Sequence, residues 1–324
     1  MPTLAADFGG TRIKLGVVDA GRVLAMRVID AESRGGLAAR LPVIEQTFRD
    51  ACGDAGVDLG RCAGVGMALP CLVKDNRVLS GIDKYPDAKE LDLPAWARRQ
   101  LNLPLALEND ANAALAGEWQ YGAGRGYRSV VLMTLGTGIG TSAVVDGVPL
   151  RGQHGQAGCL GGHVTVNVNG ETCVCGNVGC AESEASTWAL PKHAKRDAGF
   201  AASALAGEPT LDYRAVFRHA DAGDDLALRL RERALKVWSA AAVTLVHAYD
   251  PEAIILGGGI MKGSPTAIVE PMQRYVNEHA WVGWGKPKVL AGELGDSAAL
   301  AGLEYIVANT CGRQRAAAER ERAK

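Results

Sequence analysis

Neither sign of charge prevails in this chain of 324 residues, where 35 Lys and Arg face 36 Asp and Glu for a formal net charge of -1. That balance gives no global electrostatic case for nucleic acid or an anionic membrane as partner, and leaves a small molecule as the default substrate. No apolar run reaches the length of a bilayer span, and the opening MPTLAADFGGTRIK lacks the basic and apolar regions of a signal peptide. A cytoplasmic protein is the expectation. A disulfide framework is missing too: Cys52, Cys62, Cys71, Cys159 and Cys311 are scattered, while three of the eight cysteines crowd into CVCGNVGC at 173–180. That pattern points to a metal. What is present is 48% hydrophobic content with 41 glycines, which suits two substantial α/β domains better than one small core.

The first thirty residues alternate as three short β segments, TLAADF, RIKLGVVDA and RVLAMRVI, with glycines at the turns. GLAARLPVIEQTFRDAC follows at helical spacing, RCAGVGMAL reads as a buried strand, LPAWARRQLN as a short helix, and LPLALEN leads into the helix NDANAALAGEWQYG. From residue 128, SVVLMTLGTGIGTSAVVDGVPL repeats the opening rhythm, so two similar halves are expected. RERALKVWSAAAVTLVHAYDP is a long helix, AIILGGG a buried strand and DSAALAGLEYIVAN a closing helix, with RQRAAAERERAK as a solvated or frayed tail. The expected division is 1–110, completed by a C-terminal helix at 296–312, and 111–295.

Asp7, Gly9, Gly10, Thr11 and Lys14 sit where one strand turns into the next. Glycines there let backbone N–H groups approach phosphate oxygens, Thr11 offers a hydroxyl, and Asp7 suits Mg²⁺. The motif is not a Walker loop, since it lacks GKS or GKT. An ordinary β-hairpin explains it nearly as well until LGTGIGT appears at 135–141, with Gly136, Thr137, Gly138 and a second hydroxyl on Thr141. Two phosphate loops would clamp a triphosphate. A third cluster, Gly257, Gly258 and Gly259, ends the strand AIIL, where adenine and ribose could lie against bare backbone; alone it reads as a strand-ending loop.

Glu108-Asn109-Asp110-Ala111-Asn112 marks a strand-to-helix junction, a usual place for ligand contacts in α/β sheets. Helix capping accounts for Asn109 or Asp110 without function. Phosphoryl transfer needs a carboxylate to take the hydroxyl proton, and Asp110 is the best-placed candidate. His163 with Cys173, Cys175 and Cys180 forms a possible tetrahedral set for structural zinc, since C-x-C-x₄-C is hard to explain as core. Glu182 follows the last cysteine closely enough to be pinned by the metal loop and face a substrate hydroxyl, or else is a surface carboxylate. The remaining five histidines read as surface or packing residues.

DFGGTRIK, ENDANAA, LGTGIG and GH before CVCGNVGCAE occur in the order found in ROK proteins, the repressors, open reading frames and kinases, and the chain resembles that family from its first strand to its last helix. The resemblance implies an actin-like, hexokinase-type fold of two α/β domains closing on a cleft. It implies a dimeric, ATP-dependent sugar kinase acting on a hydroxyl, the C6 primary hydroxyl being the expected acceptor. Asp7, Gly9, Gly10, Thr11, Lys14, Gly136, Thr137 and Gly138 would serve Mg-ATP, with Gly257, Gly258 and Gly259 near adenosine. Asn109, His163, Glu182 and Pro70 would meet the sugar, and Asp110 would be the base. The family's repressors carry a helix-turn-helix before the first phosphate motif, which here begins at residue 7, so DNA binding is not expected. Two positions depart from the family pattern. The usual Glu-x-Gly-His has Leu160 or Cys159 at the Glu position, depending on the direction of counting, and the usual Pro-Gly is Pro70-Cys71. A lost charged hydrogen bond to a hydroxyl costs about 1.5–3 kcal/mol. A non-standard hexose, amino sugar or derivative is therefore expected, with Lys84 or Tyr85 supplying new contacts. A sugar sensor without turnover is the competing reading, opposed by the retained Asp110; another actin-like ATPase is opposed by the zinc loop beside Glu182.

Overall fold

The structure, a computed structural model, describes residues 1–80, 84–263, 265–283 and 285–322, with side chains as far as residue 311 at the C-terminal end. The chain divides into two compact units, the first made of 1–125, 151–156 and 296–324, the second of 126–150 and 157–295.

The first unit opens with β1 (Thr3–Phe8), β2 (Arg12–Asp19) and β3 (Arg22–Asp30), the expected antiparallel meander. Then come α1 (Leu41–Ala55), β4 (Val65–Leu69), the small hairpin β5 (Leu72–Lys74) and β6 (Arg77–Ser80), α2 (Leu93–Leu101), β7 (Leu105–Asn109) and α3 (Asp110–Tyr121). Its five-stranded sheet has the order β3-β2-β1-β4-β7, with β1, β4 and β7 parallel. Period-two alternation sends the apolar residues of β1 to both faces, because both are covered. Leu4, Ala6 and Phe8 pack on one face with Ile44 and Phe48 of α1, while Ala5 lies on the opposite face among Ala113, Leu300 and Leu303.

The second unit repeats the pattern. β8 (Val130–Leu135), β9 (Ile139–Val145) and β10 (Val148–Pro149) form a second meander. α4 (Ala181–Ala185), α5 (Leu190–Arg196), α6 (Tyr213–Asp221) and the long α7 (Asp225–Tyr249) precede β11 (Ala253–Gly257), α8 (Pro265–His279) and β12 (Lys288–Ala291). The sheet order β10-β9-β8-β11-β12, with β8, β11 and β12 parallel, matches the first sheet strand for strand. Trp238 of α7, fully buried, anchors the core and donates its indole N–H to Ala185 O at 2.9 Å.

The chain returns to the first unit with α9 (Ala298–Arg322). The expected closing helix is present and continues where a frayed tail was expected, while Ala323 and Lys324 lie outside the described residues. Sequence reading placed a boundary at 110, but α3 stays with the first unit because it packs intimately on α9. A Cβ on Gly117 would run into the Ala298 carbonyl, and one on Gly302 into the Ala113 carbonyl, so each helix has a glycine where the other's backbone passes. Gly302→Ala is expected to force the helices apart, at a cost of about 3 kcal/mol. Urea unfolding measures this, and an unchanged midpoint would show that the contact relaxes freely.

Candidate active site

The first phosphate-loop candidate is the β1–β2 turn. Gly9 N–H donates to Arg12 O at 3.0 Å, closing the hairpin, so Gly9 offers space rather than a free amide. Gly10 and Thr11 follow, with Thr11 exposed. Asp7 lies 3.6 Å from Lys14 Nζ, and Lys14 also reaches Asp296 Oδ1 at 3.2 Å. Burial pushes the Asp7 carboxyl above its usual range, opposed by Lys14. Sequence reading missed Asp296; it appears there only as a helix-start residue, and no local signal distinguishes that role from a place beside Asp7.

Asn109 and Asp110 divide the junction's tasks. Asn109 Oδ1 accepts from Ala111 N and Asn112 N at 3.0 and 3.2 Å, which makes it the N-cap of α3, and its amide donates to Cys71 O at 3.2 Å. Asp110 is thereby released from capping, although its Oδ1 still accepts from Ala111 N at 2.8 Å. Burial first, and then the nearby Asp7 charge, push its carboxyl up to about 6. Cys71, buried beside it, has its thiol pushed up to about 11 by burial and by Asp110, and so stays neutral. Pro70, half-buried, precedes it at the end of β4. Glu108 is tied down: Asn112 Nδ2 donates to Oε1 at 2.9 Å and Arg151 to Oε2 at 2.6 Å. Tyr85 is fully buried, its hydroxyl donating to Gly9 O at 2.8 Å. It does not present the new sugar contact expected of it.

In the second unit the glycine loop between β8 and β9 is closed by Gly136 N donating to Gly138 O at 3.0 Å. The amides of Thr187 and Trp188 donate to the carbonyls of Gly136 and Thr137, both at 3.1 Å, fixing the loop to the segment after α4. Thr137 is exposed at its tip. Thr141, expected to offer a hydroxyl to phosphate, is buried and spends it on structure: Oγ1 donates to Gly158 O at 2.6 Å and accepts from Gly161 N at 2.7 Å. Gly258 follows β11 with φ 92°, a left-handed conformation, and passes so close to Leu135 O that a side chain would not fit. The Cβ position of Gly136 lies 3.9 Å from Gly259 N. Two glycine clusters far apart in sequence thus adjoin in this unit.

His163, Cys173, Cys175 and Cys180 offer one donor atom each, all within 4.8 Å of one another. The loop is tight: Cys173 N donates to Asn177 O at 2.8 Å and Gly176 N to Cys173 O at 2.9 Å. A tetrahedral ion with Zn–S near 2.3 Å and Zn–N near 2.05 Å requires S···S of about 3.8 Å and S···N of about 3.5 Å. Here Cys175 Sγ to Cys180 Sγ is 3.7 Å and Cys173 Sγ to His163 Nδ1 is 3.5 Å. These two distances match those of a tetrahedral zinc site, and the set of four is compatible with such an ion. Asn177 Nδ2 supports the set from outside, 3.4 Å from Cys180 Sγ. Glu182 heads α4 directly after this loop, and its carboxylate accepts from Ile139 N at 2.8 Å and Trp188 Nε1 at 3.2 Å. It links the metal-ligand loop to the glycine loop. Leu160, one of the two residues that could stand at the expected Glu position, is 41% exposed.

The ROK family profile matches residues 3–310. The glucokinase of Thermotoga maritima is 30% identical over 95% of this chain and 98% of that protein. Among solved structures, the ROK hexokinase of Thermus thermophilus is 32% identical, covering 94% of this chain and 96% of that chain with TM-score 0.74. The Streptomyces griseus ROK family glucokinase, solved with glucose and AMPPNP, is 30% identical, covering 94% and 98% with TM-score 0.76. The fold is the actin-like, hexokinase-type two-domain fold, and with its motifs in family order on that fold, the chain belongs to the ROK family.

Proposed function

We propose that this protein transfers the γ-phosphoryl group of Mg-ATP to the C6 primary hydroxyl of a hexose, amino sugar or sugar derivative, with Asp110 as the base. It is a sugar phosphotransferase by its full-length likeness to glucokinases; the acceptor and its position are our reading. The observation that carries this reading is the division of labour at the α3 junction. Asn109 caps the helix, leaving Asp110 a half-buried carboxylate that titrates near 6. A base of that strength is ionised at neutral pH, yet far more basic than an ordinary aspartate.

The hydroxyl proton would pass to Asp110 as the sugar oxygen attacks phosphorus. Gly9, Gly10, Thr11, Lys14, Gly136, Thr137 and Gly138 are assigned to the phosphates, and Gly257, Gly258 and Gly259 to adenosine. Asp7 would hold Mg²⁺, which supplies charge neutralisation on the phosphates. Asn109, Pro70, His163 and Glu182 are assigned to the sugar. Structural zinc on His163 Nδ1 and the three thiolates would fix the His163 ring and, through the loop, the start of α4. With Leu160 or Cys159 at the Glu position and buried Cys71 replacing glycine, the pocket would offer one carboxylate fewer and one side chain more than the family resemblance implies. Plain glucose is therefore not the expected acceptor. A cytoplasmic homodimer, supplied with ATP there, completes the reading.

An ADP-release screen of the zinc-loaded protein with Mg-ATP over hexoses, amino sugars and derivatives tests it, with Asp110→Asn as control. A sugar-dependent signal that disappears in the variant is expected. Sugar binding without turnover across the panel would instead make the protein a sensor.

A further inference from the structure

The turn after Lys84 is bound to the β1–β2 loop through Tyr85 and Ser33. Tyr85 N donates to Ser33 O at 2.7 Å, and Ser33 Oγ donates to Gly10 O at 2.9 Å, while the Tyr85 hydroxyl bonds Gly9 O. Two residues on, Asp87 accepts from Leu37 N at 2.5 Å and Ala38 N at 2.8 Å. Tyr85 itself has φ 53°. A left-handed conformation at a large, fully buried aromatic is strained and persists only where surrounding bonds impose it. Those bonds aim the preceding side chain. The Cβ position of Gly10 lies 2.8 Å from Lys84 Cε and 3.2 Å from Nζ. The ammonium therefore stands over bare backbone of the phosphate loop. Its charge also reaches the two buried groups at the α3 junction, opposing the upward pressure on both Asp110 and Cys71.

The other lysine at this loop is already neutralised, since Lys14 lies between Asp7 and Asp296. Lys84 has no carboxylate within ion-pair distance among the described residues. A half-buried cation beside a glycine of the phosphate loop, within electrostatic reach of the base, is placed for an anion rather than for a neutral sugar hydroxyl.

We propose that Lys84 is a catalytic residue whose ammonium contacts the non-bridging oxygens of the transferred phosphoryl group, a role that rests on the kinase reading. As the sugar oxygen–phosphorus bond forms, the bond from the γ-phosphorus to its bridging oxygen breaks. The electron pair leaves with ADP, and the hydroxyl proton goes to Asp110. Charge on the three equatorial oxygens is what Lys84 neutralises. Without a Cβ, Gly10 leaves the side chain room to rise toward the phosphate, and the locked turn keeps its root in place.

Lys84→Met keeps the length of the side chain and removes the charge; Lys84→Arg restores the charge. The expected result is a loss of about 100-fold in kcat for Lys84→Met, with sugar KM within threefold of wild type and partial recovery in Lys84→Arg. An unchanged kcat, or a raised sugar KM with normal kcat, would overturn the proposal, the second making Lys84 a sugar contact. A readout without turnover separates this from the kinase reading itself. Calorimetric titration with Mg-AMPPNP and Mg-ADP should show tenfold or greater weakening of AMPPNP in Lys84→Met with ADP unaffected. Equal effects on both nucleotides, or none, reject the Lys84 role even if no sugar is turned over. A wild-type protein silent on every sugar, with the AMPPNP effect intact, rejects the kinase reading and leaves Lys84 on the terminal phosphate.

Discussion

Asp110→Asn is expected to lower kcat by about a thousandfold, near the middle of the range for removal of a general base, while the sugar dissociation constant moves less than threefold. Asparagine keeps the shape and can still accept the bond from Ala111 N, so α3 and its Asn109 cap survive. Only proton acceptance is lost. Equal losses in kcat and sugar affinity would give Asp110 a structural role instead. The pH profile follows from the same group. Its folded value is raised to about 6 by burial and by Asp7, and the active form is the carboxylate. In wild type, kcat/KM should hold a plateau above pH 7 and fall about tenfold per unit well below pH 6. For stability, the folded chain holds this proton between the ordinary aspartate range and about 6 while the unfolded chain has released it. Stability from this group is therefore present at pH 4 and lost as pH rises through 6. The shift corresponds to at most about 3 kcal/mol, less solvent screening of a half-buried group. Asp110→Asn should raise Tm at pH 7.5 relative to wild type and leave it nearly unchanged at pH 4. The reverse order would show that the carboxylate is stabilised rather than strained by its surroundings.

The second large effect concerns the thiolate loop. Zinc present at about a thousand times its dissociation constant stabilises the folded chain by about 4 kcal/mol, which corresponds to roughly 10 °C in Tm for a unit of this size. Cys175→Ser tests it cleanly, because Cys175 is exposed and its replacement opens no cavity. We expect elemental analysis to find one zinc per wild-type chain and none in the variant, with Tm lower by about that amount. On the proposed assignment of His163 and Glu182 to the sugar, sugar KM should rise more than kcat falls, since His163 belongs to the candidate ligand set and Glu182 stands two residues after Cys180. Undiminished zinc in Cys175→Ser would overturn the ligand set. Zinc lost with Tm unchanged would mean that the loop's own turn bonds hold it.

Much of this was legible in the chain because it is local. A meander needs only period-two alternation and glycines at the turns, and both β1–β3 and β8–β10 announce themselves that way. The candidate metal-ligand set lies almost wholly within eight residues, so spacing alone nearly closes it. The first compact unit runs past the expected boundary at 110 to residue 125, and α3 carries no sign of its partner. Its small-residue face makes sense only against Gly302 of α9, nearly two hundred residues later. Thr141 and Tyr85 read as available polar groups because sequence does not reveal that Gly158 or Gly9 already occupies their hydroxyls.

The sequence by itself determined the repeated strand rhythm, the family motifs, the candidate metal ligands and the candidate base, all written in residue types at short spacing. Only tertiary structure decided which of two adjacent polar residues caps α3 and which is left to titrate near 6. It alone brought the glycine clusters at 136 and 259 together, set Asp296 beside Lys14, and aimed Lys84 at Gly10. The physical reason is that burial, charge and hydrogen-bond satisfaction depend on neighbours in space, and chain order does not encode those neighbours residue by residue.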